Sequence, residues 1–455
     1  MPRDWSQRSL HFIAIGGAGM SGLALVAQAL GARVTGSDRA ESSYLRRLRE
    51  AGLEPRLGHD ADAVPERAEV VVSTAVPADN PELARARERG QRILHRGELL
   101  AELCELKRPL AVAGTHGKTT TAGMIVWALR EIGADPAFLL GGELSGAGAD
   151  EGDANAGWGA GEWIVAEADE SDASFLRLKP EVAVVTNVEL DHHSHWRSRT
   201  ELLEAFRSFA APAAGLALNA DPSLDPIAAD QEVLRFGSEY LEPRQRSGRE
   251  SGWHPNVDLR LAVPGRHNAL NGLAALAGLE LAGCDVDRAA AALASFPGMR
   301  RRLELKGRLN GAAIYDDYAH HPTEVAAALD ALRELAPRRL IAVFQPHLYS
   351  RTKALAAEFG AALAAADEIG ILDVYPARER PVGELAGVSG LQVAEAAAER
   401  AGGRPVWWLR DVESAARALG PRLRDGEILV TLGAGDIGER LADPLARPAE
   451  QGAAA

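Results

Sequence analysis

Residues 109–133 read PLAVAGTHGKTTTAGMIVWALREIG. An apolar run, a glycine-containing turn and a longer apolar-periodic stretch follow one another, which spells strand, loop and helix. Glycines at 114 and 117 let backbone N–H groups turn toward phosphate oxygens, and the helix N-terminus adds partial positive charge. In that arrangement Lys118 reaches the terminal phosphates of a nucleotide and the Thr119 hydroxyl holds Mg²⁺. The usual G-x-x-x-x-G-K-[ST] spacing has its first glycine where this chain has Val112. A glycine-rich turn with a chance Lys-Thr pair would look similar. Here, however, strand, glycines, lysine, hydroxyls and helix occur in working order.

Toward the N-terminus, HFIAI (11–15) reads as a strand and Gly17-Ala18-Gly19-Met20-Ser21-Gly22 as a second glycine turn, with Asp38 closing the strand ARVTGSD. Such a turn holds NAD, holds another nucleotide diphosphate, or packs a helix closely on a strand. A dehydrogenase has no need of the second turn at Gly114. Two nucleotide turns point to one nucleotide as fuel and the other as a substrate handle.

Toward the C-terminus, Glu167-Ala168-Asp169-Glu170-Ser171-Asp172 follows the strand EWIVA, and Asp191-His192-His193 follows EVAVVTNVEL. Glu167 and His192, at strand ends, are placed to complete Mg²⁺ coordination beside Thr119. Asp169, Glu170 and Asp172 read individually as a solvated acidic loop. Arg300-Arg301-Arg302 stands at a junction where a triphosphate needs a cation. Asp317, Tyr318 and His320 follow the strand AAIY, while His347, Tyr349 and Arg351 follow LIAVF. The histidines, tyrosines and Arg351 at these adjacent strand ends make a pocket suited to a small zwitterion, while each taken singly reads equally as a loop hydrogen-bonder. Gly433-Ala434-Gly435-Asp436-Ile437-Gly438 reads as a packing turn.

A chain of 455 residues exceeds one hydrophobic core, and apolar runs alternate with amphipathic stretches almost throughout. The expected fold is therefore α/β in three domains, 1–107, 108–297 and 298–455. The polar stretch EPRQRSGRESGWHPN (242–256) reads as a surface loop and the tail from 446 as disordered. A formal charge of -14 argues against binding nucleic acid or an anionic membrane. Cys104 and Cys284 lie far apart in no metal or redox motif, which fits a reducing compartment. The apolar N-terminal segment is broken by glycines and Gln28 and precedes no processing site, so a cytoplasmic protein is expected.

Taken in order, IGGAGMSG, GTHGKTTT, EADESDASFL, TNVELDH, PGRHNALN, DDYAHHPTEV, FQPH, LDVYPARE and GAGDIG resemble the signatures of the Mur ligase family. The resemblance is greatest to its alanine-adding branch and covers nearly the whole chain. It implies a Rossmann-like N-terminal domain for a UDP-sugar, a central P-loop ATPase-like domain, and a C-terminal Rossmann-like domain for an amino acid. The activity implied is ATP-dependent joining of L-alanine to the carboxyl group of UDP-N-acetylmuramate, through an acyl phosphate, in peptidoglycan precursor synthesis. By that resemblance Gly17, Ala18, Gly19, Met20, Ser21, Asp38 and Ser73 lie along the UDP group. Gly114, Thr115, His116, Gly117, Lys118, Thr119 and Thr120 cradle ATP, with Asn271 at adenine, Asp317 at the ribose and Arg302 at the phosphates. Thr119, Glu167 and His192 hold Mg²⁺, and Lys118, Glu167, His192 and Arg302 form the catalytic set. Tyr318, His320, His347 and Arg351 surround alanine. A monomer or homodimer is expected.

The chain departs from the family pattern in two places that bear on the chemistry. Members often read FQPHRYSR, but Leu348 occupies the arginine position here, leaving the amino acid's carboxylate one cation fewer. Several relatives hold a second Mg²⁺ with a carbamylated lysine, and no lysine occurs between Lys179 and Lys306. The rival readings are the tripeptide-recycling member, whose acidic motif typically reads EADEYD, a nicotinamide-dependent oxidoreductase, and a silent scaffold on the ligase fold.

Overall fold

The structure, a computed structural model, describes residues 4–146, 154–190, 196–238, 259–377 and 379–446. The apolar runs become the inner strands of three sheets. The first holds β1 (Ser9–Ile13), β2 (Arg33–Asp38), β3 (Arg56–Leu57), β4 (Glu69–Val72) and β5 (Ile93–His95), all parallel, in the order β3-β2-β1-β4-β5. Its helices are α1 (Ala18–Ala29), α2 (Ser43–Glu50), α3 (Pro81–Glu88) and α4 (Arg96–Cys104). The chain leaves β1 to one side and returns to the other, so a crevice forms at the carboxyl ends of β1 and β4. The first glycine turn and Ser73 sit at those ends.

The second sheet contains β6 (Arg108–Ala113), β7 (Ala137–Leu144), β8 (Ala154–Gly157), β9 (Trp163–Glu167), β10 (Val182–Val185), β11 (Gly215–Asn219) and β12 (Glu232–Phe236). Their order is β12-β11-β10-β6-β9-β7-β8, parallel except for the β7/β8 pair. The associated helices are α5 (Lys118–Glu131), α6 (Arg199–Ala210), α7 (Arg266–Leu281) and α8 (Val286–Leu293). β6 lies between β9 and β10, which brings the loops leaving all three strands to one edge.

The third sheet comprises β13 (Glu304–Leu309), β14 (Ala312–Asp317), β15 (Leu340–Phe344), β16 (Glu368–Leu372), β17 (Val406–Arg410) and β18 (Ile428–Leu432), ordered β13-β14-β18-β15-β16-β17. Only β13 runs antiparallel. Around it lie α9 (Pro322–Glu334), α10 (Tyr349–Leu363), α11 (Gly390–Arg400), α12 (Val412–Leu419) and the short α13 (Asp443–Ala446). Along β15, Leu340, Ala342 and Phe344 join one apolar cluster while Ile341 and Val343 join another. Both faces are thus covered, which is why this strand reads as an unbroken apolar run.

Backbone packing divides the chain into two compact units, residues 1–262 with 269–297, and residues 263–268 with 298–455. The expected 107/108 boundary falls inside the first unit, where α1 packs on β7 and β8. A Cβ at Gly22 would lie 3.2–3.3 Å from Ala156, Asn155 and Leu139, so this glycine lets the helix approach the neighbouring sheet. Among the described residues no helix is long and apolar enough to cross a membrane. The expected loop at 242–256, the tail beyond Ala446, and Asp191, His192 and His193 lie outside the described residues.

Candidate active site

The turn after β6 needs glycine at two points. Gly114 has φ +142° and Gly117 φ +80°, conformations that side chains with a Cβ rarely adopt. The loop leaving β10 staples the turn in place. Thr186 and Asn187 donate to the His116 carbonyl at 2.6 and 3.0 Å, and Asn187 Oδ1 accepts from His116 N at 2.9 Å. The Thr115 hydroxyl accepts from Glu189 N and donates to Glu189 O, at 2.9 and 3.0 Å. Sequence reasoning gave Thr186, Asn187 and Glu189 no role. Their only signal was their place in TNVE just past a buried strand.

Lys118 Nζ donates to the carbonyls of Gly114 and Thr115, at 2.5 and 3.1 Å, and pairs with Glu170 Oε2 at 2.8 Å. Burial works against its ammonium, but Glu170, Asp169 and Glu167 outweigh that and hold its pKa above the ordinary lysine value. The acidic loop is accordingly not the solvated run expected of it. The Glu170 side chain is 2% exposed, and Asp169 and Asp172 both bind Arg96 Nη2, at 2.6 and 2.9 Å. Two cations, Arg96 from the first sheet's α4 and Lys118 from the glycine turn, offset one buried and two partly buried carboxylates. Burial raises the pKa of Glu170 despite Lys118, whereas Arg96 and Lys118 hold Asp169 low in spite of its burial.

Glu167 completes the turn's surroundings. Its Oε1 accepts from the Thr119 hydroxyl at 3.0 Å and its Oε2 from Gly141 N at 2.7 Å. An alcohol and a carboxylate held this closely beside a lysine are hard oxygen donors that fit Mg²⁺. Asn271 is buried behind the turn: its Oδ1 accepts from Thr121 at 3.3 Å and sits where a Cβ on Gly117 would be. Thr120 is also buried.

At the first glycine turn, Met20 and Ser21 are buried. The Ser21 hydroxyl donates to Ala18 O at 3.0 Å and accepts from Asn155 at 3.1 Å, so its side chain links α1 to β8. Asp38 Oδ2 accepts from Gly16 N at 2.8 Å, fixing the turn against β2. Ser73 is part-exposed just beyond β4.

The second unit gathers the remaining expected residues around the ends of β14 and β15. The three arginines part company there. Arg300 pairs with Glu304 at 2.8 Å, while Arg301 binds Asp316 at 3.0 Å and donates to the Gly433 carbonyl at 2.6 Å. Arg302 lies 5.2 Å from the Tyr318 ring centre and 3.9 Å from Glu324. Asp317 is buried and accepts from Leu303 N and Ala319 N, both at 2.7 Å; burial pushes its pKa up to about 6. Tyr318, His320 and His347 are in edge-to-face contact, at 5.3 and 6.2 Å, and His347 stacks on Tyr375 at 5.8 Å. Arg351 Nη1 lies 3.5 Å from His347 Nδ1. Leu348, at φ +70°, caps α10 ahead of these residues. A Cβ on Gly433, Gly435 or Gly438 would strike Gln345, Tyr375 or Asp316, so that motif is packed tight. Missed from PGRHNALN was His267, whose pKa burial and Arg302 bring down to about 4.

His320 carries a testable consequence. Burial takes its imidazole down to about 4, with Arg351 and Arg302 adding to the effect and Glu324 opposing it. The ring is neutral at pH 7, and Nδ1 lies 3.1 Å from the Tyr318 carbonyl, which only a protonated nitrogen can satisfy. Nε2 is then an acceptor. A depressed folded pKa means His320 contributes stability in full above about 6.5, lost as pH falls through about 4. Nitrogen-detected NMR should find the Nδ1–H tautomer at pH 7 and a titration near 4; an ordinary histidine titration would contradict it.

Three family models match in succession: the Mur ligase family catalytic domain over residues 9–108, the middle domain over 112–279, and the glutamate ligase domain over 301–435. The chain is 44% identical over 465 residues to a UDP-N-acetylmuramate–L-alanine ligase of Renibacterium salmoninarum, covering 97% of each. A ligase of the same name from Mycolicibacterium vanbaalenii is 44% identical, with 94% of each covered. Among solved structures, the UDP-N-acetylmuramate-alanine ligase of Thermotoga maritima matches with a TM-score of 0.80 at 27% identity, over 95% of this chain and 97% of that one. A murein peptide ligase from Psychrobacter arcticus shares the fold, with a TM-score of 0.70 at 24% identity over 97% and 99% of the two chains. With two glycine turns on successive α/β sheets, three domain matches in order and this identity over its whole length, the chain belongs to the Mur ligase family.

Proposed function

We infer that the protein joins L-alanine to the lactyl carboxyl group of UDP-N-acetylmuramate, converting ATP to ADP and phosphate. One observation carries this reading beyond likeness. The two glycine turns are connected by consecutive contacts: Gly19 faces Arg96, Arg96 binds Asp169, and the adjacent Glu170 holds Lys118. A nucleotide handle and a nucleotide fuel can thus serve one reaction.

A carboxylate is a poor acyl donor because its leaving group would be oxide. Attack of its oxygen on the γ-phosphorus of ATP forms an acyl phosphate and releases ADP. Lys118 moves from the loop carbonyls and Glu170 to the phosphates, offsetting the charge that gathers there. Thr119 and Glu167 would hold Mg²⁺, with His192 as the further expected ligand; the ion supplies electrostatic stabilisation of the phosphates. The amine nitrogen of alanine then attacks the acyl carbon, the C–O bond to phosphate breaks, and the nitrogen gives up one proton. Neutral His320 offers Nε2 as an acceptor in the alanine pocket, and Arg351 is the cation for the amino acid's carboxylate.

The test is a coupled ADP-release assay with UDP-N-acetylmuramate, Mg²⁺ and a panel of amino acids and peptides. L-Alanine should support turnover and the tripeptide should not. AMP with pyrophosphate as products would overturn the acyl-phosphate route. In the same assay Arg351→Ala should raise the KM for alanine roughly tenfold or more, the worth of one charge-assisted contact, with little change in the KM for ATP. An unchanged alanine KM would place the carboxylate elsewhere.

A further inference from the structure

The glycines of the first turn are not equivalent. Gly22 is pressed against the second sheet, but a Cβ at Gly19 would meet a single side chain within 4 Å, Arg96, whose Nη1 lies 3.7 Å away. Arg96 is the first residue of α4 and follows β5 directly, so it stands at the same carboxyl edge as the turn leaving β1. A capping box fixes its backbone: Gly97 N donates to His95 Nδ1 at 3.2 Å, and His95 N donates to Glu98 at 2.7 Å. The guanidinium is anchored, among the described residues, through Nη2, which reaches Asp169 and Asp172 of the second sheet's acidic loop. Among the described residues its Nε and Nη1 donate to nothing. Burial opposes its charge, but the two aspartates hold its pKa above the ordinary arginine value.

A planar fork with one tooth fixed and two donor nitrogens left over the N-terminal turn of a helix is suited to bind phosphate oxygens. We propose that Arg96 is a binding residue for the diphosphate of the nucleotide sugar, held in position from the neighbouring domain by Asp169 and Asp172. This rests on the reading of the first turn as the nucleotide-sugar site and adds to it a residue from a different helix. Arg96 supplies the full positive charge that the backbone amides of the α1 turn lack. Its anchorage means the sugar nucleotide is gripped where the two domains meet.

The experiment compares UDP and uridine, each titrated against the full chain as wild type, R96Q and R96K, with ADP as a check on the second glycine turn. Wild type should prefer UDP to uridine. In R96Q that preference should fall roughly tenfold or more, while uridine and ADP affinities stay within about twofold. R96K keeps a charge but cannot serve both anchor and anion, so it should fall between. If either folded variant keeps the wild-type ratio of UDP to uridine affinity, Arg96 does not touch the diphosphate and the proposal is wrong. Failure of the wild type itself to bind UDP would instead overturn the underlying reading of the first turn.

Discussion

Lys118→Met is expected to lower ADP release by about three orders of magnitude. Losing one preorganised charge at a phosphoryl-transfer centre typically costs about two to three orders of magnitude. Lys118 would fill that role as the first residue of α5, directly after the left-handed Gly117. The variant also leaves Glu170 buried without its 2.8 Å ion pair, so the thermal midpoint should drop by a few degrees, roughly what breaking a buried pair implies. Adding Glu170→Gln should recover the midpoint and leave turnover absent. That pair of measurements separates charge balance from chemistry: a folded Lys118→Met protein with near-normal ADP release would refute the assigned role.

The second large effect is expected of Glu167→Gln. The amide is nearly isosteric and can keep the contacts with the Thr119 hydroxyl at 3.0 Å and Gly141 N at 2.7 Å, so the fold should be undisturbed. What it removes is an anionic oxygen beside Thr119. Disturbing one ligand or its support commonly weakens metal sites by about 10–100-fold. The MgCl₂ concentration for half-maximal ADP release should rise by about that factor, with kcat down about a hundredfold at the wild-type optimum. Circular dichroism should be unchanged. An identical Mg²⁺ dependence would remove Glu167 from the metal site.

Legibility in the sequence followed burial. β1, β6, β10, β15 and β18 are covered on both faces and stood out as apolar runs. β3, with both residues exposed, and β13 and β17, half-exposed at sheet edges, carried no comparable signal. Glycine turns were equally legible because backbone geometry demands glycine locally, as at Gly114 and Gly117. The acidic loop was misread for the opposite reason. Asp169, Glu170 and Asp172 look solvated when counted along the chain, since their partners, Arg96 and Lys118, are brought to them only by folding. Arg96 was likewise invisible among the arginines of the first domain.

By itself, then, the order of residues determined the α/β architecture, the two glycine turns and the family, because each depends on interactions within a few positions of the chain. Tertiary structure alone decided which charges are buried together, that Gly22 packs while Gly19 opens, and that His320 is a neutral acceptor. Those properties come from electrostatic and packing energies between groups dozens of residues apart, and such energies exist only once the distances have closed.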